Sequence, residues 1–151
     1  MKLSYQGIQD QAAYTAAGVK LPGYDWQQMA ETTEKAPVWV HFGAGNIFRG
    51  FIAALQQRLL NAGEATSGII AAETFDYDII DQIYIPHDSM TLMVSLKPDG
   101  STDKEVIASI SKGLKADCSN AADWAALKAA FVNPSLQFAS FTITEKGYAL
   151  T

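Results

Sequence analysis

A single cysteine, Cys118, cannot form an intrachain disulfide, and this usage fits a reducing, cytoplasmic setting. No apolar run approaches the roughly 20 residues that a membrane-spanning helix requires. The opening residues Met1-Lys2-Leu3-Ser4-Tyr5-Gln6 also lack the apolar core of a secretory signal, so no membrane partner is expected. Cations are few: 11 Lys and Arg stand against 16 Asp and Glu, a net charge of −5. That balance argues against nucleic acid as a partner, because phosphate contacts need concentrated Lys and Arg. His41, His87 and Cys118 are not at metal-ligand spacing, so no metal site is expected. The serines lack a Gly-x-Ser-x-Gly elbow, which leaves an α/β-hydrolase without its nucleophile. What is present is apolar: 48% hydrophobic against 18% charged residues excludes disorder, and 151 residues suit one compact domain.

Residues 1–36 read as a polar, weakly patterned leader. Within it Leu21-Pro22-Gly23-Tyr24-Asp25 is a turn, and Asp25 is placed to cap a short helix from Trp26 to Thr32. Pro37 bars continuation of that helix. Val38-Trp39-Val40-His41-Phe42 then has the β-branched and aromatic run of a strand buried on both faces. After Gly43-Ala44-Gly45 the period changes. Ile47, Phe51, Leu55 and Leu59 recur every fourth residue, widened by Phe48 and Ile52, with Arg49, Gln56, Gln57 and Arg58 on the rest of the surface. This predicts an amphipathic helix with the apolar stripe inward, closed by Gly63 in the left-handed conformation. Gly68–Ala72 is a second buried strand, so 38–72 forms a right-handed βαβ crossover between parallel strands.

Further on, the patterning predicts a helix over Asp76–Tyr84 and a hairpin of Thr91–Leu96 with Glu105–Ile110. A helix over Ala121–Phe131 and a strand over Leu136–Ile143 complete the chain. Trp39, Trp124 and Phe131 fit a packed core, as does His41 among apolar neighbours. The fold class is α/β: a Rossmann-like parallel sheet with an inserted β-hairpin. Residues 37–151 are a partial dinucleotide-binding domain.

A glycine turn between a buried strand and a helix is the context a dinucleotide fingerprint requires. Gly43 permits the tight turn and Gly45 close approach of a pyrophosphate, while the helix from Asn46 aims free N–H groups and a positive dipole at it. Phe48 replaces the third glycine of G-x-G-x-x-G; Gly50, two residues later, is placed for close helix–strand packing. Arg49 sits where a cation opposes the helix dipole unless an anion is bound. Glu73, at the end of the second strand, suits the adenosine ribose hydroxyls and would repel a 2′-phosphate, which points to NAD over NADP; Asp76 competes for that role. Thr144-Glu145-Lys146-Gly147-Tyr148 leaves the end of another buried strand, where ligands of open α/β sheets bind. Each feature has a plainer reading, as turn geometry, a solvated charge or a surface loop.

Together these segments resemble the mannitol dehydrogenase family, the polyol-specific long-chain dehydrogenases. The matching stretches are Leu21–Asp25, Val40–Phe51 and Thr142–Tyr148, with a weaker match over Asp88–Val94. Family members also lack the third glycine. Thr-Glu-Lys-Gly-Tyr is similar to the fructuronate reductase (D-mannonate oxidoreductase) branch, with the mannitol 2-dehydrogenase and mannitol-1-phosphate 5-dehydrogenase branches as alternatives.

The resemblance implies NAD as cofactor and a small-molecule sugar acid or polyol as substrate. It implies cofactor contacts from Gly43, Ala44, Gly45, Asn46, Ile47, Arg49, Glu73, Thr144 and Glu145, with Lys146 near the substrate. The family's catalytic lysine, asparagine and histidine belong to a helical C-terminal domain. No catalytic residue is therefore expected among these 151, and the chain alone is expected to be inactive. Two other functions remain open, an S-adenosylmethionine-dependent methyltransferase and a non-enzymatic nucleotide-binding domain. The oligomeric state is not legible.

Overall fold

The computed structural model describes residues 1–148. Four parallel strands form its main sheet: β2 (Trp39–Phe42), β3 (Ile69–Glu73), β6 (Ile110–Lys115) and β7 (Phe138–Phe141), in the spatial order β6-β3-β2-β7. Numbered along this sheet alone, that order is 3-2-1-4, the order of the first four strands of the doubly wound dinucleotide fold. The order in which strands are added reverses between β2 and β7, the switch point where doubly wound sheets carry a crevice at the strands' carboxyl ends.

The βαβ crossover forms as its pattern predicts, through a helix spanning 46–61. Its first part is a π-helical stretch, Phe48–Ile52, that runs into helix α3 (Ala53–Asn61). Gly63, at φ +74°, ends it in the left-handed conformation. Helix α4 (Ala121–Val132) joins β6 to β7 and packs Leu127 and Ala130 on the opposite face of the sheet, against Val40, Ile70 and Leu114.

The stripe of the crossover helix is not where its periodicity puts it. Ile47 is 71% exposed and Phe51 61%, with Leu55 and Leu59 exposed beside them. Phe48, Ala53, Ala54, Gln57 and Leu60 face inward instead. The reason is the segment that crosses beside the helix. Gln57 is fully buried there, its Nε2 donating to the Val106 carbonyl (2.8 Å) and Glu105 Oε1 (3.0 Å). Its Oε1 accepts from Ala108 N–H (2.7 Å) and the Tyr24 hydroxyl (3.0 Å). A buried backbone stretch must have its hydrogen bonds made. The side chain that can make them outranks the apolar stripe.

The inserted hairpin is real but shifted. β4 (Thr91–Leu96) pairs antiparallel with β5 (Thr102–Ile107), and the next segment, β6, leaves the hairpin to become the third parallel strand. Ile110-Ser111-Lys112-Gly113-Leu114-Lys115 shows weak apolar patterning because Tyr84 and Ile80 of the short π-helical turn Ile80–Tyr84 cover Gly113. A Cβ there would lie 2.5 Å from the Tyr84 ring.

Residues 1–36 carry more structure than their patterning predicts. They form α1 (Gln11–Ala16), β1 (Val19–Lys20) and α2 (Trp26–Lys35), the last capped by Asp25 as expected. β1 adds to β5, so that Ile8, Tyr14 and Val19 share a core with Met90, Val106 and Ala108. Two further expectations are corrected. Gly50 has nothing within 4 Å of a would-be Cβ, so it makes no close helix–strand packing; Phe131 is half exposed rather than core.

Replacing Gln57 by Leu would leave buried groups of Val106 and Ala108 unpartnered, and is expected to cost about 2–4 kcal/mol. Leu55→Ser on the exposed stripe is expected to change stability by less than about 0.5 kcal/mol. Urea unfolding of the two variants checks the ranking.

Candidate functional site

At the end of β2 the chain makes a turn that only glycine permits. Gly43 has φ +110°, and a Cβ on it would lie 2.3 Å from Thr142 Oγ1. Its N–H donates to the Ala72 carbonyl (2.8 Å). The next residue, Ala44, is fully buried and held at both ends: its N–H donates to Glu73 Oε2 (2.8 Å), and its carbonyl accepts from the Tyr84 hydroxyl (3.0 Å). Burial pushes the Tyr84 phenol well up, opposed by the Arg49 charge and reinforced by Glu73, so it stays a donor. Ala44 therefore offers a ligand shape rather than a free amide.

Glu73 stands at the end of β3 but is turned inward. Besides Ala44 N–H, its carboxylate collects the N–H groups of Thr74 (2.9 Å), Phe75 (3.0 Å) and Asp76 (3.4 Å) on Oε1. Four donors occupy about as many sites as a carboxylate has. Asp76, three residues on, is exposed, and its carboxylate has no hydrogen-bond or ion-pair partner among the described residues.

Gly45 differs from Gly43. Its φ is not in the left-handed region, and a Cβ there would meet nothing within 4 Å. The fold does not need a glycine here, but a group approaching the backbone does. Among the described residues the N–H groups of Gly45, Asn46 and Ile47 have no protein acceptor, and the Gly45 carbonyl already accepts from Arg49 N–H (3.1 Å). Asn46 and Ile47 are exposed at this helix start. Arg49 Nη2 donates to Asn46 Oδ1, while its buried Nε has no partner. Unpartnered amides, a positive helix end and a guanidinium with an orphaned N–H together suit an anion that presses against Gly45.

Across the crevice, β7 is tied to β2 by side chains. Trp39 Nε1 donates to Ser140 Oγ (2.6 Å), which lies 2.7 Å from His41 Nδ1; His41 Nε2 lies 3.2 Å from Thr142 Oγ1. The His41 ring is fully buried and stacks on Phe48, centroids 4.2 Å apart and planes within 5°. Burial lowers its pKa to about 4, so it is neutral at pH 7. His41 is a core residue as expected, but a hydrogen-bonded one, which its apolar neighbours in sequence gave no sign of. Beyond Thr142, Thr144 is exposed and the chain turns through Glu145–Tyr148. The side chains of Glu145 and Lys146 lie outside the described residues.

The crevice thus brings together Gly43, Ala44, Gly45, Asn46, Ile47, Arg49 and Glu73. Sequence reasoning missed Tyr84, Ser140 and Thr142, which act through pairings 40 to 101 residues apart. Among the described residues no helix is long and apolar enough to cross a membrane, and no group of three or more His, Cys, Asp or Glu is placed to hold a metal.

No family model matches the chain. A D-mannonate oxidoreductase of Thermotoga maritima is 49% identical over 148 residues, covering 98% of this chain. The chain belongs to the mannitol dehydrogenase family. An uncharacterised Escherichia coli oxidoreductase, YeiQ, is 32% identical over 87% of the chain. Mannitol 2-dehydrogenase of Pseudomonas fluorescens, solved with NAD and D-mannitol, superposes with TM-score 0.76 at 28% identity over 98% of the chain. A D-sorbitol dehydrogenase gives TM-score 0.69 at 26% identity over 87%. The chain spans about a quarter of each relative: 27% and 25% of the two by sequence, 28% and 26% of the two by structure. The mannitol dehydrogenase-family resemblance carried by the Val40–Phe51 and Thr142–Tyr148 motifs is thus matched across nearly the whole chain.

Two stability measurements test this geometry. Gly43→Ala is expected to cost about 3 kcal/mol or more, from positive φ and the clash with Thr142, whereas Gly45→Ala costs less than about 1 kcal/mol. The second is pH dependence. The unfolded chain protonates His41 below about pH 6.5 and the folded one only near pH 4, so stability falls as pH drops through that window. The loss amounts to about 3 kcal/mol at most. His41→Phe is expected to flatten that part of the curve, read by denaturant titrations at pH 7 and 4.5.

Proposed function

We propose that this chain is the cofactor-binding part of a cytoplasmic NAD-dependent oxidoreductase that moves a hydride between nicotinamide and a sugar acid or polyol, of the D-mannonate/fructuronate type. The observation that carries this reading is Gly45. It is a glycine that the fold does not require, beside the unpartnered amides of the helix start and four residues before Arg49, whose buried Nε has no partner. The relatives support it: one is a D-mannonate oxidoreductase, and one was solved with NAD and D-mannitol.

In this reading Gly45, Asn46 and Ile47 N–H groups bind the pyrophosphate, and Arg49 adds its charge. Glu73 holds the turn in shape from below. The exposed Asp76 takes the ribose hydroxyls, and the absence of Lys or Arg from Glu73 to Asp78 leaves a 2′-phosphate with no counter-charge. Thr144, Glu145 and Lys146 border the nicotinamide and substrate. NAD, when bound, supplies the hydride chemistry, and the chain's own groups bind and orient it. The chain spans about a quarter of each relative's length, and in this reading the 151 residues alone have no turnover.

Calorimetric titration of the chain with NAD and NADP tests the assignment. NAD is expected to bind more tightly, and Asp76→Ser to narrow the difference. Gly45→Val is expected to keep the fold and weaken NAD about tenfold or more, the equivalent of ~1.4 kcal/mol. Folded Gly45→Val with parental NAD affinity would make the turn a structural one and remove the proposal.

A further inference from the structure

Two loops flank the proposed cofactor crevice, the Gly43–Gly45 turn after β2 and the segment from Thr142 after β7. A backbone bond from Thr142 N–H to the Phe42 carbonyl (3.0 Å) ends the β2–β7 ladder. The side-chain chain from Trp39 through Ser140 and His41 to Thr142 ties the same two segments a second time.

An indole N–H can only donate, so Ser140 Oγ accepts from Trp39. His41 joins the two hydroxyls, Nδ1 paired with Ser140 Oγ and Nε2 with Thr142 Oγ1; as a neutral ring it donates through one nitrogen and accepts through the other. Thr142 Oγ1 in turn occupies the space a Cβ on Gly43 would fill. The same imidazole lies flat on Phe48, in the first turn of the helix whose amides line the crevice. One buried ring therefore contacts three parts of the site: the helix start directly, the end of β7 by hydrogen bonds, and the glycine turn through Thr142.

We propose that His41 and Thr142 are positioning residues for the cofactor: they hold the end of β7 against Gly43, so that the two loops on either side of the crevice are set as one unit. Neither needs to touch the ligand. The inference rests on the cofactor reading above, and adds to it that the spacing of the loops is set by a hydroxyl and an imidazole rather than by the backbone ladder alone. Apolar packing at these positions would have served stability equally well, since a satisfied polar chain in a sheet gains little over same-shaped apolar groups.

Thr142→Val and Thr142→Ser separate the hydroxyl from the volume it fills, and His41→Phe keeps the stack on Phe48 while removing both hydrogen bonds. Each chain is titrated with NAD and with ADP, well below its melting temperature, and the Gly45 amide resonance is tracked by NMR. Thr142→Val and His41→Phe are expected to bind NAD about five- to tenfold more weakly, the scale of one lost hydrogen bond. The Gly45 resonance is expected to move, and Thr142→Ser to restore both. Should His41→Phe fail to fold, the Thr142 pair carries the test. Parental NAD affinity in folded Thr142→Val, or equal weakening by Ser and Val, would overturn the positioning role while leaving the cofactor reading intact. A parent chain that binds neither NAD nor ADP would overturn both.

Discussion

The peptide of Ala44 is the point on which the crevice depends. Its N–H is held by the Glu73 carboxylate and its carbonyl by the Tyr84 hydroxyl, both from elements distant in sequence. Gly43 has to turn into the left-handed region to deliver Ala44 there, and the next helix must start at Asn46 with its first amides pointing into the crevice. Buried polar groups in a low-dielectric interior are costly unless paired, so this arrangement is rigid once made. The acid at the end of β3 is thereby committed to the protein's own backbone. That commitment is why the exposed Asp76, rather than Glu73, has carboxylate oxygens to offer a ligand.

A second constraint lies at the far side of the crossover helix. Gln57 brackets residues 105–108, bonding both the strand β5 and the link to β6, and Tyr24 of the N-terminal segment joins the same amide. Sheet, hairpin and N-terminal segment are connected through that one side chain. With Gln57 turned inward, Leu55 and Leu59, two residues to either side of it and so about 200° round the helix, have to face out. Ile47, Phe51, Phe138 and Phe141 add to the apolar surface that remains uncovered among the described residues.

How far the chain could be read without coordinates varies by element. The β2–turn–helix–β3 unit was legible because its strands are buried on both faces and its turn needs glycine, both local properties. Asp25 was legible as a cap for the same reason. β6 was not, since a strand covered by Tyr84 over Gly113 has no apolar run of its own. The orientation of the crossover helix was not legible either. Its period marks an apolar face, while the buried face is decided by which neighbour's backbone lacks hydrogen bonds.

By itself the sequence determined the α/β class, the parallel crossover, the glycine turn and the family, because turn chemistry, strand composition and short motifs are carried by adjacent residues. Only the tertiary structure decided that Glu73 clamps the turn instead of presenting a free carboxylate. It also decided that His41 is a hydrogen-bonded link to β7, and that Gly45, unlike Gly43, is a glycine the fold can do without. Each of these depends on partners 29 to 101 residues away, or on empty space, and neither distance in the fold nor vacancy is written in local order.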